Sequence, residues 1–121
     1  MMSTQLSFTK FENKLLPDYR HKISTAESTE DVKKFFVYTS IELFREIFPE
    51  KTDFDYGDIT LTPTGESSFT LTERLQASTE FSSTWDSSDL NHILSRLAET
   101  AINRYKHLEK DPAKTEAKIR R

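Results

Sequence analysis

The chain has 121 residues, of which 35% are hydrophobic and nine are Phe, and this is enough to build one hydrophobic core. It has no cysteine, which excludes disulfides, thiol catalysis and cysteine-ligated metal sites. The net charge of −3 argues against general binding of polyanions. No apolar run approaches the about 20 residues of a membrane span, and the first residues lack the pattern of a signal peptide. We therefore expect a soluble, cytoplasmic protein with no membrane contact.

The first predicted helix covers residues 4–24. Thr9 and Glu12 have the spacing of a capping box, which leaves the start of the helix open. Pro17 lies on the face opposite the apolar residues, where it either bends one helix or opens the second of two short helices. The apolar residues recur at helical spacing on one face: Phe8, Phe11, Leu15, Leu16, Tyr19 and Ile23.

The most apolar stretch, residues 28–48, predicts a central helix. Ser28 is placed to cap its first turn. Pro49 disfavours helical geometry at Phe48, so we expect the helix to end near Ile47. Its apolar residues cover about half of the circumference, more than is usual for a surface helix. Such a helix requires neighbours on more than one side.

The middle of the chain predicts a β-hairpin. Ile59 and Leu61 alternate with threonines, and a second alternating run extends from Phe69 to Ala77. The two runs are joined by a short loop over residues 63–68 that contains Gly65. For residues 78–84 a loop and a weak third strand both stay open.

The last predicted helix begins with Asp86 as its N-cap and with Trp85 packed on Leu90. Its apolar stripe continues to about Lys110, and Pro112 ends the helix. Residues 112–121 are predicted to be a mobile, charged tail, which leaves residues 1–111 as one domain.

Together these elements predict an α+β fold in the order α-α-β-β-α. Three helices pack on a small antiparallel hairpin. A lone hairpin is barely stable in water, so its apolar face must lie on the helices.

Charge is distributed unevenly along the chain. Residues 51–89 hold eight acids against Lys51 and Arg74, whereas residues 90–121 hold eight basic residues against four acids. Contact with an anion or a nucleic acid is therefore expected only at the C-terminal end. The candidate residues are Arg96, Lys106, Lys110, Lys114, Lys118, Arg120 and Arg121. The interspersed acids and the acidic chain favour a solvated helix end instead.

The sequence contains no motif for catalysis, for a cofactor or for a metal. Asp53, Asp55 and Asp58 do not follow the ligand spacing of a calcium loop. His92 and His107 are too far apart on one helix to share a metal. We therefore predict no cofactor, no metal and no catalytic residue.

Two charged residues break their local patterns. Glu73 lies among the apolar positions of the predicted second strand, and Arg104 lies inside the apolar arc of the last helix. Since a lone buried charge is costly, we predict an ion pair between Glu73 and Arg104. The alternative is that both side chains reach solvent at the edge of the core.

The leading hypothesis is a non-enzymatic protein–protein interaction module, of a bacterial or phage accessory type, that binds another protein or itself. The exposed edges of the hairpin favour it, and they also favour a homo-oligomer. One alternative is nucleic-acid contact through the basic C-terminal helix and tail. The other is a small molecule bound in an aromatic-lined pocket.

Overall fold

The computed structural model describes residues 7–110. These residues form helices and a two-stranded antiparallel sheet, so the predicted α+β class is confirmed. The described part of the chain has five helices, however, and the prediction of three is wrong. The elements are α1 (Thr9–Thr25), α2 (Thr29–Ile47), β1 (Ile59–Leu61), β2 (Phe69–Leu71), α3 (Glu73–Ala77), α4 (Thr79–Ser87) and α5 (Leu90–Lys110).

Helix α1 begins at Thr9, later than predicted, and continues through Pro17 as one helix. The alternative of two short helices is therefore wrong. Asp89, which lies just before α5, caps the start of α1. The Asp89 carboxylate accepts the Phe8 N–H at 2.9 Å and the hydroxyls of Ser7 and Thr9 at 2.9 and 3.2 Å. Negative charge at a helix N-terminus is favourable, and here a residue distant in sequence supplies it.

Helix α2 is the centre of the fold and matches the prediction at both ends. The Ser28 Oγ accepts the Asp31 N–H at 3.1 Å, and the helix ends at Ile47. Helices α1 and α5 and strand β1 pack on it. Its fully buried apolar residues are Val32, Phe36, Ile41, Leu43 and Phe44.

The predicted hairpin is present, with Ile59 opposite Leu71 and Leu61 opposite Phe69. These four side chains share the inner face, where the two on β1 are buried and the two on β2 are half-buried. Thr60 is exposed on the outer face. The hairpin therefore buries its apolar face on the helices, because two strands alone bury too little surface.

The second strand ends at Leu71, so its predicted continuation to Ala77 is wrong. The Thr72 Oγ1 accepts the Leu75 N–H at 3.3 Å and begins α3. The Ser78 Oγ accepts the Phe81 N–H at 3.3 Å and begins α4. Thr and Ser are favoured caps because their oxygens satisfy free backbone donors. Residues 78–84 are thus mostly helical, neither a loop nor a third strand.

Helix α5 begins at Leu90, and the predicted start at Asp86 is wrong because residues 85 and 86 belong to α4. The Ser88 Oγ accepts the Leu90 N–H at 3.2 Å. The predicted tail, residues 112–121, lies outside the described residues. No helix between residues 7 and 110 has both the length and the apolar character that crossing a membrane requires.

Candidate functional site

A groove of about 500 Å³ runs along β2, and we call it the edge groove. Residues 67–71 form one wall, Trp85, Asn91 and Ser95 form the other, and Gln76 also lines it. Successive side chains of a strand point to opposite faces. A groove lined by five consecutive positions, and by no residue of β1, therefore follows the free edge of β2.

The backbone of Phe69 and Leu71 points into this free edge. The Thr62 N–H donates to the Ser68 carbonyl at 2.9 Å, and the Thr72 N–H donates to the Asp58 carbonyl at 3.0 Å. Hydrogen-bonded and non-hydrogen-bonded pairs alternate in an antiparallel ladder. The residues between these bonds, Phe69 and Leu71, consequently direct their N–H and C=O groups away from β1.

A side chain satisfies one of these edge groups. The Gln76 Nε2 donates to the Leu71 carbonyl at 2.9 Å, in the position that a donor of a third strand would take. Gln76 is exposed, so its amide can exchange this bond for water or for another chain. Three edge groups have no hydrogen-bond partner within residues 7–110. They are the Phe69 N–H, the Phe69 C=O and the Leu71 N–H.

The opposite wall is held in place by aromatic packing. The Trp85 ring stacks on Phe81 at a centroid distance of 5.5 Å and meets Phe69 edge-on at 6.1 Å. Phe81 is fully buried and also contacts Phe44 and Phe48 at 5.3 and 5.6 Å. This network ties α4 to α2, so the groove has a preformed wall rather than a loose loop.

Asp58 fixes the other wall. Its buried carboxylate accepts the Asp55 N–H at 2.9 Å and the Thr72 hydroxyl at 2.8 Å, and it forms an ion pair with Arg74. Burial raises the pKa of Asp58, but the hydrogen bonds from Asp55, Thr72 and Arg74 outweigh it and hold the pKa below its usual range. The carboxylate thereby joins the start of β1 to the end of β2.

A second hollow of about 160 Å³ continues the edge groove toward Asp86. It shares Leu71, Gln76 and Trp85 with the groove, and Asp86 lies on its rim with an exposed carboxylate. A third hollow of about 450 Å³ lies between α1 and α5 and contains Glu12 and Arg96.

The predicted ion pair between Glu73 and Arg104 is absent from the described residues. Glu73 is exposed in the first turn of α3, since the strand that was to point it inward has already ended. The Arg104 guanidinium instead donates to the Ala26 carbonyl at the end of α1, with Nη2 at 2.7 Å and Nε at 3.2 Å. A cation at a helix C-terminus satisfies free carbonyls there, which explains Arg104 in the apolar arc.

The predicted basic surface is only partly available. Arg96 pairs with the buried Glu12 through two hydrogen bonds, and this interaction raises the pKa of Arg96. Lys106 and Lys110 are exposed on α5. The other candidates, Lys114, Lys118, Arg120 and Arg121, lie outside the described residues. Arg96 is thus engaged in an ion pair within the chain, although its side chain is partly exposed.

The acidic loop before β1 forms ion pairs with basic side chains. Asp53 contacts Lys51 at 2.9 Å and Arg74 at 3.1 Å. The hydrogen bond from Lys51 is the main reason that the pKa of Asp53 is lowered. Within residues 7–110, no group of three or more His, Asp or Glu side chains is arranged to hold a metal ion.

Two exposed tyrosines form a separate surface feature. The rings of Tyr38 and Tyr56 lie 4.9 Å apart, and the Arg45 guanidinium lies 5.8 Å from the centre of the Tyr56 ring. These contacts join α2 to the loop before β1. They leave about half of each tyrosine accessible, at 47% and 51% exposure.

No protein-family model, curated protein or solved structure matches the chain. Sequence reasoning identified the exposed hairpin edge but missed the wall that faces it. The prediction placed Trp85 and Asp86 at the start of the last helix, although both belong to α4. The signals that could have revealed α3 and α4 are the capping hydroxyls of Thr72 and Ser78.

Proposed function

We propose that this protein is a non-enzymatic protein–protein interaction module that binds an extended segment of a partner by adding it as a strand beside β2. The observation that carries the proposal is the free backbone edge of β2: the Phe69 N–H and C=O and the Leu71 N–H have no hydrogen-bond partner within residues 7–110 and face an open groove. Extended peptides add to such edges through main-chain hydrogen bonds, and pockets for alternate side chains supply specificity.

The lining of the edge groove suits a peptide main chain. The Asn91 amide and the Ser95 hydroxyl are exposed on α5, opposite the backbone of β2. A strand lying between the two walls would therefore meet hydrogen-bonding groups on both sides. Half-buried Trp85 provides apolar contact for one of its side chains.

Features that usually protect an edge strand are sparse on β2. It carries no Lys, no Pro and no other charge, and the groove leaves it uncovered by the other described elements. Its length of three residues limits the number of backbone bonds. We therefore expect moderate affinity, with a Kd on the order of micromolar.

Peptide selection tests this proposal directly. A displayed library of random peptides of about ten residues is selected on the full chain, and the recovered peptides are measured by calorimetry. Ser95→Trp places a ring in the groove, and Asn103→Trp places the same ring at an exposed position of α5 outside it.

We expect Ser95→Trp to weaken binding about ten-fold or more, because the ring occupies the space of the added strand. Asn103→Trp should bind like the wild type. Circular dichroism confirms that both variants are folded. Failure to recover any peptide, or equal loss in both variants, would contradict the proposal.

A second copy of the chain is the other protein that can supply a strand. Sedimentation velocity over a range of concentrations separates this case from a foreign partner. A concentration-dependent dimer that Ser95→Trp abolishes, and Asn103→Trp does not, assigns the groove to self-association.

A further inference from the structure

The part of the chain that faces β2 across the edge groove carries acids: residues 75–95 hold Glu80, Asp86 and Asp89. Residues 75–95 contain no Lys or Arg. The nearest arginine in the chain before them, Arg74, is paired with Asp53 and Asp58. Two exposed acids adjoin the groove: Glu66 precedes its first residue in the chain, and Asp86 lines the hollow that continues it. Neither forms a salt bridge within residues 7–110.

We infer that the edge groove selects an extended partner segment that carries Arg or Lys at the ends of its paired core. This inference rests on the proposed function, since it specifies the peptide that the groove binds. The Asp86 carboxylate lines the hollow at one end of the groove, and Glu66 is next in the chain to Ser67 at the other end. Negative charge at these places favours cations and disfavours acids by charge complementarity. The distance from position 67 to position 71 corresponds to about five residues of extended chain.

The position of Trp85 favours arginine over lysine at the Asp86 end. Trp85 lines both the groove and the hollow that contains Asp86, so a side chain passing from one to the other passes beside Trp85. A planar guanidinium stacks on an aromatic face and pairs with a carboxylate at the same time, whereas an ammonium is a compact point charge. We therefore expect the order Arg, then Lys, then neutral, then acidic.

Four synthetic peptides test this order. They share an alternating Val/Thr core of about five residues and differ only in carrying Arg, Lys, Gln or Glu at both ends. Calorimetry at low salt should rank them in that order. Asp86→Lys and Glu66→Lys should each weaken the Arg peptide by about two- to five-fold, the range expected for an exposed ion pair. Added salt should reduce the preference.

Glu109→Lys is the matched control, because Glu109 is exposed on the last turn of α5 and changes the net charge equally. It should leave the ranking unchanged. Equal binding of all four peptides overturns the charge inference but leaves the proposed function standing. An effect of Glu109→Lys as large as that of Asp86→Lys also overturns it, because net charge would then explain the preference. Absence of binding by these peptides and by every library peptide rejects the proposed function itself.

Discussion

Glu12 on α1 and Arg96 on α5 form a two-point ion pair, with Arg96 Nε 2.9 Å from Oε2 and Nη2 2.7 Å from Oε1. The Glu12 side chain is only 6% exposed, whereas that of Arg96 is 54% exposed. The pair therefore joins the first helix to the last one at the boundary of the core. The arginine satisfies a carboxylate that the fold has largely removed from water.

We expect Arg96→Ala to lower the free energy of unfolding by about 1–3 kcal/mol, because it leaves a buried carboxylate without a partner. Glu12→Gln should cost less, since a neutral amide still accepts one hydrogen bond. A double-mutant cycle from urea unfolding measures the coupling. Strictly additive losses would show that the pair does not act as a unit.

Asp58 should make the fold sensitive to acid. Its pKa is lowered in the folded state, so the unfolded chain binds protons more readily. The stability from this carboxylate is present above the unfolded value of about pH 3.9 and is lost as the pH falls through the lower folded value. Asp58→Asn should therefore destabilise the protein at neutral pH and much less in strong acid.

Thermal unfolding between pH 7 and pH 2 measures this effect, a range set about the carboxyl pKa. Asp86→Asn is the control, because Asp86 is exposed and makes no side-chain hydrogen bond to residues 7–110. Its stability profile should parallel that of the wild type. An Asp58→Asn profile that also parallels the wild type would contradict the assigned role.

Ser40 is a polar group whose burial is uncompensated. It is fully buried on α2, and its Oγ has no hydrogen-bond partner within the described residues. Ser40→Ala should stabilise the protein by about 1 kcal/mol, because it removes the desolvation penalty and favours the helix.

Ser88→Ala is the matched control for that substitution. The Ser88 Oγ donates to the Thr84 carbonyl at 2.6 Å and accepts the Leu90 N–H at 3.2 Å. Its loss should destabilise by about 1 kcal/mol. Urea midpoints that fall equally for both serines would mean that Ser40 has a partner after all.

Thr72 is predicted to control both the end of β2 and the start of α3. Its hydroxyl donates to Asp58 and accepts the Leu75 N–H. Thr72→Ala should cost about 1 kcal/mol from the cap alone, and more with the loss of the Asp58 bond. Thr72→Ser retains the hydroxyl and should recover most of that stability. Equal losses in the two variants would show that the methyl group matters and the hydroxyl does not.

Local signals were sufficient for the α+β class, for α2 and for the hairpin. Ser28 and Pro49 mark the ends of α2 in the sequence itself. The stretch after Leu71 was misread because its alternating pattern fits a strand, while Thr72 and Ser78 fit helix caps equally well. Whether this stretch forms a strand or helices depends on the hydrogen bond between Thr72 and Asp58 and on the packing of Phe81 against Phe44, and both contacts join residues distant in sequence.

The edge groove could be predicted only in part for the same reason. An exposed hairpin edge follows from the pattern of β1 and β2. The opposite wall exists only because α4 and α5 lie across the groove from β2. Trp85 is held in that wall by its contacts with Phe69 and Phe81. The pairing of Arg104 with Ala26 likewise depends on how α1 and α5 meet, which helical periodicity does not specify.

Amide hydrogen exchange within β2 tests strand addition most directly. The Phe69 and Leu71 N–H groups face the groove, whereas the Thr70 N–H faces β1, so neighbouring amides report different edges. In the free protein we predict fast exchange at Phe69 and Leu71 and slower exchange at Thr70. Saturation with the Arg-flanked peptide should slow Phe69 and Leu71 selectively. If exchange stays unchanged at both while the peptide is bound, the partner does not pair with β2, and the proposed binding mode is wrong.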